Sequence, residues 1–240
     1  MFSRSAELYD AIYQQFKDYP DESRRIAALL RRVHTNAKSV LDVACGTGEH
    51  ARLLAGEHGY RVDGIDVEPE FVRIAQRKNP NGRFICADMT DFALDADYDV
   101  VLCLFSSIGY VRSLPNVRRA LGRMRAHLAP GGVVILEPWF EPGAWRTGTL
   151  SVHVAETEFG KVCRMSYASQ VDRISIIEFH YLVGSAGGIE HRREIHELGL
   201  FSREELETCA IAAGLEVAEY DPRGLIGRGL FVCTARAGTD

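Results

Sequence analysis

Apolar residues between positions 39 and 137 fall into short strand-like runs that alternate with segments of helical periodicity. The strand-like runs do not alternate cleanly with polar residues, which indicates strands that are buried on both faces. The pattern predicts strands at residues 40–43, 61–65, 83–86, 99–104 and 133–136 and helices at residues 48–56, 69–78 and 116–128, the last ending at Ala129-Pro130-Gly131-Gly132. Strands separated by helices in this way predict an α/β fold with a parallel sheet.

The pattern changes after residue 149, where four β-like runs follow one another without an intervening helix. They cover residues 150–155, 162–167, 174–183 and 190–200 and predict an antiparallel meander. Ser202 and Glu205 then form a capping-box signature for a helix that Gly214 ends, and two final strands follow at 215–220 and 230–235. We therefore expect an N-terminal helical cap (1–38), a core (39–148 and 201–240) and an inserted β subdomain (149–200) that serves as a substrate lid or a dimer surface.

A glycine-containing turn follows the first predicted strand, in the stretch Asp42-Val43-Ala44-Cys45-Gly46-Thr47-Gly48. Glycine adopts positive φ and lets a ligand approach the backbone, and the following helix directs unpaired N–H groups at that ligand. A dinucleotide fingerprint needs G-x-G-x-x-G, and position 51 is alanine. An acid at the strand end followed by A-x-G-x-G instead resembles motif I of class I S-adenosylmethionine-dependent methyltransferases. The resemblance implies their Rossmann-like fold, with a mostly parallel seven-stranded sheet, and S-adenosylmethionine as the cofactor.

Two further acids follow the next two predicted strands. Asp66 ends the strand at 61–65 and is placed to accept both ribose hydroxyls of an adenosine, or to cap the next helix. Asp88 and Met89 follow the strand at 83–86, and in the methyltransferase superfamily such a pair binds the adenine amino group and packs on the adenine face. Asp88 by itself is more typical of a turn residue. Three acids after three successive strands favour a single nucleoside site.

The overall composition narrows the classes of function. The 240-residue chain has a net charge of −5 and therefore lacks the basic excess typical of a nucleic-acid partner. The six cysteines form no C-x-x-C pair, and the spacing of His191 and His196 puts them on opposite faces of a strand, so we expect no metal site. The first ten residues contain no apolar h-region, and no run reaches the ~18 residues of a membrane span. We expect a cytoplasmic protein with no membrane attachment.

Five further stretches resemble one particular methyltransferase family. They are Ala6-Glu7-Leu8-Tyr9-Asp10, Lys17-Asp18-Tyr19, Phe105-Ser106-Ser107-Ile108-Gly109, Glu137-Pro138-Trp139 and Gly227-Arg228-Gly229-Leu230-Phe231. With motif I they make the chain similar, nearly end to end, to the TDP-amino-sugar N,N-dimethyltransferases that finish sugars such as desosamine and mycaminose for macrolide antibiotics. The resemblance implies methylation of the amino group of a nucleotide-linked deoxyamino sugar, by a homodimer.

The resemblance also implies roles for individual residues. Cofactor binding falls to residues of motif I, of the later strand ends and of the N-terminal helices: Tyr9, Tyr19, Asp42, Ala44, Gly46, Gly48, Asp66, Asp88, Met89, Leu104 and Ser106. Substrate binding falls to Phe105, Trp139, Phe140 and Arg228, with the guanidinium binding the diphosphate bidentately. Without the resemblance, the two tyrosines, Trp139 and Phe140 are equally typical of packing aromatics. Arg228 alone would be more typical of an exposed loop charge.

Position 110 departs from the family pattern, because the relatives have a histidine beside the amino group and this chain has Tyr110. An unperturbed tyrosine has a pKa near ~10, so we expect Tyr110 to orient the amine rather than act as a general base. The particular amino sugar and the number of methyl groups added stay open. The main alternative is a methyltransferase of the same fold for another small amine or hydroxyl acceptor. A cofactor-binding regulatory protein and a nicotinamide oxidoreductase are more distant alternatives.

Overall fold

Six α-helices and eleven strands make up the part of the chain that the computed structural model describes, residues 6–14, 17–157 and 160–236. Residues 1–5 and 15–16 of the predicted cap and 237–240 of the predicted core lie outside the described residues. None of the helices in these ranges is both long and apolar enough to cross a membrane. In chain order the elements are α1 (Ala6–Tyr13), α2 (Tyr19–Val33), β1 (Ser39–Val43), α3 (Glu49–His58), β2 (Arg61–Asp66), α4 (Pro69–Lys78), β3 (Phe84–Cys86), β4 (Tyr98–Cys103), a 3-10 helix (Ser107–Val111), α5 (Leu114–Ala126), β5 (Leu128–Leu136), β6 (Leu150–Thr157), β7 (Gly160–Val171), β8 (Ile174–Ser185), β9 (Gly188–Gly199), α6 (Arg203–Ala212), β10 (Leu215–Asp221) and β11 (Leu230–Ala235).

Seven strands form a central sheet in the order β10-β11-β5-β4-β1-β2-β3. β1 to β5 run parallel, while β11 pairs antiparallel with both β5 and β10. The strand order reverses at β1, which lies between β4 and β2. Ligands of such sheets bind outside the carboxyl ends of the strands at this reversal. The predicted mostly parallel seven-stranded sheet is confirmed, and Asp42 lies at its ligand-binding edge.

Helices cover both faces of this sheet through apolar contacts. On one face Val117 of α5 and Leu206 of α6 are buried, and on the other Ile26 and Leu30 of α2. The charged face of α2 is exposed, as its periodicity predicts. The side chain of Arg25 on this face donates to the carbonyl oxygens of Gly224 and Leu225, 2.7 Å away, and so holds α2 against the segment that follows β10.

The junction of α5 and β5 differs from the prediction. α5 begins two residues earlier than expected because Ser113 is its N-cap residue and Pro115 lies in its first turn. β5 begins at Leu128, which pairs with Tyr98, and the register shifts before the next pairs. Residues 129–132, predicted to separate helix from strand, are therefore a bulge within β5. A Cβ at Gly132 would lie 2.9 to 3.0 Å from carbonyl oxygens of the neighbouring chain segments, which explains a glycine there.

The four strands β6 to β9 form a separate antiparallel sheet in sequence order, and the predicted meander is confirmed. Alternate residues face opposite sides of it. Its inner face packs against α1, where Leu8 and Ile12 contact Phe179 and Tyr181. Its outer face carries large apolar side chains that are between 44% and 65% exposed: Leu150, Val152, Val154, Met165, Tyr167, Leu182 and Ile195. We call this set the outer face below.

Candidate active site

A cavity of about 800 Å³ opens at the carboxyl ends of the parallel strands. The turn after β1, together with Asp66 and Asp88, lines one part of it, and α1 and the inner face of the four-stranded sheet line another. A smaller cavity of about 50 Å³, lined by Tyr19, Asp42 and Leu104, shares Tyr9, Ala44, Gly46 and Phe105 with the large one. The fold therefore brings most of the predicted cofactor-binding residues to one continuous edge of the sheet.

Every second residue of the turn after β1 has a left-handed backbone conformation. These residues are Ala44, Gly46 and Gly48, with φ values of 61°, 55° and 71°. Gly46 lines both cavities, and a Cβ added to it would have no protein atom within 4 Å. A Cβ at Gly48 would lie 2.8 Å from the amide nitrogen of Asn79 and 2.9 Å from the Cβ of Ala75. Gly46 therefore leaves the backbone open to a ligand, while Gly48, which lines neither cavity, allows α3 and α4 to pack closely.

Two buried carboxylates lie side by side at this turn. Asp42 is 3% exposed, and burial, reinforced by the neighbouring charge of Asp66, raises its pKa to about 7. Asp66 accepts hydrogen bonds from the N–H groups of Gly46 (2.8 Å) and Glu68 (2.9 Å), yet burial still raises its pKa. Buried carboxylates at a cavity wall become stable as anions when a cationic ligand binds beside them. This part of the cavity therefore favours a ligand that carries a positive charge.

Asp88 and Met89 line the large cavity just after β3. The Asp88 carboxylate accepts hydrogen bonds from the N–H (2.7 Å) and the hydroxyl (2.8 Å) of Thr90. Both hydrogen bonds go to the same carboxylate oxygen, Oδ1, so the other oxygen has no part in the turn. Asp88 is therefore both the turn residue that its sequence context indicates and an acid that lines the cavity.

The loop after β4 is held in a strained conformation by buried charges. Phe105 has a φ of 52°, and its N–H donates a hydrogen bond of 2.7 Å to the carboxylate of Glu137, a residue 1% exposed at the end of β5. The ammonium of Lys17 lies 3.6 Å from the centre of the Phe105 ring and 3.0 Å from the Glu22 carboxylate. Burial lowers the pKa of Lys17. The predicted substrate residue Phe105 is therefore fixed at the junction of the two cavities.

Arg228 is held in the large cavity by aromatic rings. Its guanidinium lies 4.3 Å from the centre of the Trp139 ring and 4.8 Å from that of Phe140, and it donates to the hydroxyl of Ser106 at 3.1 Å. Ser106 is fully buried, lines neither cavity and donates in turn to the carbonyl oxygen of Pro138 at 2.6 Å. Trp139 also donates from its indole to Ser175 under the four-stranded sheet, so it both packs and lines the cavity. Arg228 is thus a half-buried, oriented cation rather than an exposed loop charge.

Tyr110 lies on the 3-10 helix and lines the same cavity. Its hydroxyl is 2.8 Å from Nδ1 of His196, a residue of β9 that is 1% exposed. Nε2 of His196 lies 3.6 Å from the carboxylate of Glu194. Burial raises the pKa of Tyr110 well above its usual range, so this phenol stays protonated at neutral pH. His191 lies on the opposite, exposed side of β9, as the five-residue spacing predicts.

Comparison with known proteins shows the family to which the chain belongs. A family model described as a methyltransferase domain matches residues 40–132. A dTDP-3-amino-3,6-dideoxy-alpha-D-glucopyranose N,N-dimethyltransferase from Streptomyces fradiae is 43% identical over 228 residues, 94% of this chain and 89% of that protein. The chain belongs to the dTDP-amino-sugar N,N-dimethyltransferases. It is a class I methyltransferase by fold, as its sequence predicts.

Solved structures of this family superpose closely on the chain. The crystal structure of DesVI from Streptomyces venezuelae has a TM-score of 0.89 at 35% identity, with 97% of this chain and 98% of that chain covered. CalS10 from Micromonospora echinaspora, an amino pentose methyltransferase solved with S-adenosylmethionine bound, has a TM-score of 0.84 at 35% identity, with 95% and 96% covered. The match includes the four-stranded sheet, because it extends over nearly the whole chain.

Four residues of this dimethyltransferase's site were not predicted from the sequence: Lys17, Glu137, Arg164 and His196. Glu137 ends a buried strand with an acid, the same signal that identified Asp42 and Asp66, so it could have been found. Arg164 and His196 lie on the inner face of the four-stranded sheet. Which face of a meander turns inward depends on the packing of α1 against it, so no local signal identifies them.

Proposed function

We propose that this protein transfers the methyl group of S-adenosylmethionine to the amino group of a dTDP-linked deoxyamino sugar in antibiotic or related natural-product biosynthesis. The observation that carries the proposal is Arg228. The cavity lined by the acids of a nucleoside site also contains this half-buried guanidinium, which has no carboxylate ion-pair partner among the described residues. A diphosphate is an anion that a guanidinium binds bidentately.

The turn after β1 fits the cofactor. Gly46 leaves room at the backbone, and the carboxylates of Asp42 and Asp66 suit a ligand that bears an ammonium and a sulfonium. We assign Asp66 to the ribose hydroxyls, Asp88 and Met89 to the adenine, and Tyr9 and Tyr19 to the amino acid part. This assignment is supported by the fact that all five residues line the two cavities. Gly48 and Ser106, which line neither cavity, support this site by positioning α3 and Arg228.

Trp139, Phe140 and Phe105 surround the region in which the acceptor sugar would lie. When bound, the cofactor would supply an electrophilic methyl group on a sulfonium. The amine lone pair would form the N–C bond in line as the S–C bond breaks, and S-adenosylhomocysteine would leave. Positive charge passes from sulfur to nitrogen in this reaction, so the site requires alignment and exclusion of water rather than an oxyanion hole. Tyr110, with its pKa raised by burial, orients the amine through its hydroxyl and does not act as a base at neutral pH.

Isothermal titration tests the two halves of the proposal separately. We expect S-adenosylhomocysteine to bind the protein, and dTDP to bind the complex that results. Mass spectrometry with dTDP-linked 3-amino and 4-amino sugars then measures whether one or two methyl groups are added. Binding of the first ligand without the second would favour the alternative, a methyltransferase for another small amine or hydroxyl acceptor. Failure of both to bind would contradict the cofactor site itself.

We also propose that the protein is a homodimer that associates through the outer face. Seven large apolar side chains are exposed together on one side of this sheet, and such a grouping marks an interaction surface. The polar residues Glu178, His180 and Arg193 lie on β8 and β9 and contact one another, so the apolar side chains of the outer face are concentrated on β6 and β7. A cytoplasmic location stays a prediction from the sequence.

A further inference from the structure

Tyr110 can act on an amine in two opposite ways, and the direction of its hydroxyl decides which. If the hydroxyl donates to another group, its oxygen accepts an N–H from the amine and leaves the nitrogen lone pair free. If the hydroxyl points into the cavity, it donates to that lone pair and competes with methyl transfer. The group that orients the hydroxyl therefore matters for the reaction.

The only described hydrogen-bond partner within reach of the Tyr110 hydroxyl is Nδ1 of His196, at 2.8 Å. On the other side of the imidazole, Nε2 lies 3.6 Å from the Glu194 carboxylate. A carboxylate on that side favours the tautomer with the proton on Nε2, because Nε2–H then points at a negative charge. In this tautomer Nδ1 has a free lone pair and accepts the tyrosine proton.

We propose that His196 is a positioning residue that holds the Tyr110 hydroxyl as a hydrogen-bond acceptor toward the substrate amine. The inference rests on the proposed N-methyltransferase function. It assigns a role to β9 of the four-stranded sheet: this strand sets the orientation of a residue on the methyltransferase core, 86 positions away in sequence. His196 does not line the cavity and acts only through Tyr110.

The arrangement predicts a pH dependence. A protonated imidazole donates from Nδ1 to the tyrosine oxygen, which turns the hydroxyl proton into the cavity. Within the described ranges, the charged or titratable groups that face His196 are Tyr110, Glu194 on its own strand and Arg164 on β7. Burial lowers the pKa of His196, Arg164 lowers it further, and Glu194 raises it, with a net lowering. The inhibiting ionisation therefore lies on the acid side of an ordinary histidine, and activity falls there.

Five variants test the role by kcat at saturating substrate. His196→Leu removes the acceptor and frees the hydroxyl, and we expect kcat about tenfold below that of Tyr110→Phe, the effect of one misdirected hydrogen bond. His196→Asn keeps an acceptor oxygen at the δ position and should recover most of the loss, without the acid limb of the pH profile. The double variant Tyr110→Phe/His196→Leu should return to the rate of Tyr110→Phe, because no hydroxyl is left to misdirect. His191→Asn, on the exposed side of the same strand, should match the wild type.

A double variant no faster than His196→Leu, or His196→Asn as slow as His196→Leu, would overturn the proposal and leave a packing role. Titration of S-adenosylhomocysteine into each variant checks that the cofactor site is intact. ¹⁵N NMR of the histidines decides the tautomer without turnover: we expect an unprotonated Nδ1 in the wild type, with a shift that changes in Tyr110→Phe. A protonated Nδ1 at neutral pH would overturn the proposal. Absence of wild-type turnover with every dTDP-amino sugar would instead count against the proposed function.

Discussion

Asp42 shows how one residue couples ligand binding to stability. Its pKa is raised in the folded protein to about 7, whereas an aspartate in an unfolded chain titrates near ~3.9. Between these values the unfolded chain loses its proton and the folded protein keeps it, so this group lowers the stability of the cofactor-free protein as pH rises from ~4 to about 7. The proposed cofactor accounts for this cost, because a cationic ligand would bind beside the carboxylate.

Asp42→Asn should therefore stabilise the cofactor-free protein and weaken the binding of S-adenosylhomocysteine. At pH 8 the gain in unfolding free energy is at most roughly 4 kcal/mol, since one pKa unit corresponds to about 1.4 kcal/mol. The gain should shrink as pH falls toward ~4. Thermal unfolding of both proteins from pH 5 to pH 8, with titration of the ligand at pH 8, measures the two effects.

Asp99→Asn is the matched control, because the pKa of the Asp99 carboxyl is lowered in the folded protein, whereas that of Asp42 is raised. Burial raises the pKa of Asp99, but hydrogen bonds from the N–H groups of Lys38 and Ser39 outweigh burial and lower the pKa overall. This group contributes stability above the unfolded pKa, so Asp99→Asn should destabilise the protein at pH 8 and leave ligand affinity unchanged. Equal effects of the two substitutions would contradict the role given to Asp42.

Arg228 separates a nucleotide-linked substrate from an uncharged one. Arg228→Ala removes the guanidinium stacked on Trp139 and Phe140, and we expect KM for the dTDP-sugar to rise about tenfold to a hundredfold, with little change for an uncharged amino sugar. Arg228→Lys keeps the positive charge but lacks the planar guanidinium, so its KM for the dTDP-sugar should lie between those of the wild type and Arg228→Ala. An equal rise of KM for both kinds of acceptor would favour the alternative function.

Tyr110→Phe tests orientation against base catalysis. The variant loses one neutral hydrogen bond, so kcat should stay within about tenfold of the wild type. Removal of a general base would cost roughly 10²–10⁴-fold, and a loss of that size would show that Tyr110 takes the amine proton. Steady-state kinetics at saturating dTDP-sugar and cofactor separates the two outcomes.

At the scale of secondary structure elements, α3 shows why a glycine can be required for two different reasons. Gly48 precedes the helix at φ 71° and Gly59 follows it at φ 76°. Gly48→Ala and Gly59→Ala both place a Cβ in left-handed backbone, which costs about 1–2 kcal/mol. Only at Gly48 would the Cβ also lie within 3 Å of Asn79 and Ala75. We expect Gly48→Ala to lose about 1–3 kcal/mol more unfolding free energy than Gly59→Ala.

Urea unfolding of the two variants measures this difference directly. Gly46→Ala provides a further comparison, because it faces open cavity and should reduce cofactor affinity more than stability. Equal destabilisation by the substitutions at positions 48 and 59 would show that α4 moves away from the turn at little cost.

Elements with local signals were predictable from the sequence. The capping box of Ser202 and Glu205 opens α6, with the Ser202 N–H 2.8 Å from the Glu205 carboxylate, because the whole motif lies within four residues. β5 was predicted too short because its first residues are held by pairing with a distant strand, which no local signal shows. Pro130 and Gly131 are turn residues by every local rule, yet Leu128 before them pairs with Tyr98 across the sheet. Pairing between distant segments overrode the local preference.

For the molecule as a whole, the proposed interface on the outer face predicts the oligomeric state. We expect the wild type to sediment as a dimer, at twice the monomer mass of 26.7 kDa. Val152→Glu puts a charge beside Met165, among the apolar side chains of β6 and β7, and should give a monomer. Ile211→Glu, at an exposed apolar residue on α6, is the matched control and should stay dimeric. Sedimentation of the wild type as a monomer would contradict the proposed interface.

The sequence by itself determined the parallel order of strands and helices, the turn after β1 and the family. These features depend on residues close together in the chain: an acid at a strand end, glycines at fixed spacing, apolar residues at a fixed period. Only the tertiary structure decided that Arg228 lies against Trp139 and Ser106, and that Tyr110 meets His196. Both contacts join segments brought together by the packing of the four-stranded sheet and the last strands on the core, and no local pattern encodes which distant side chains that packing places within hydrogen-bond distance.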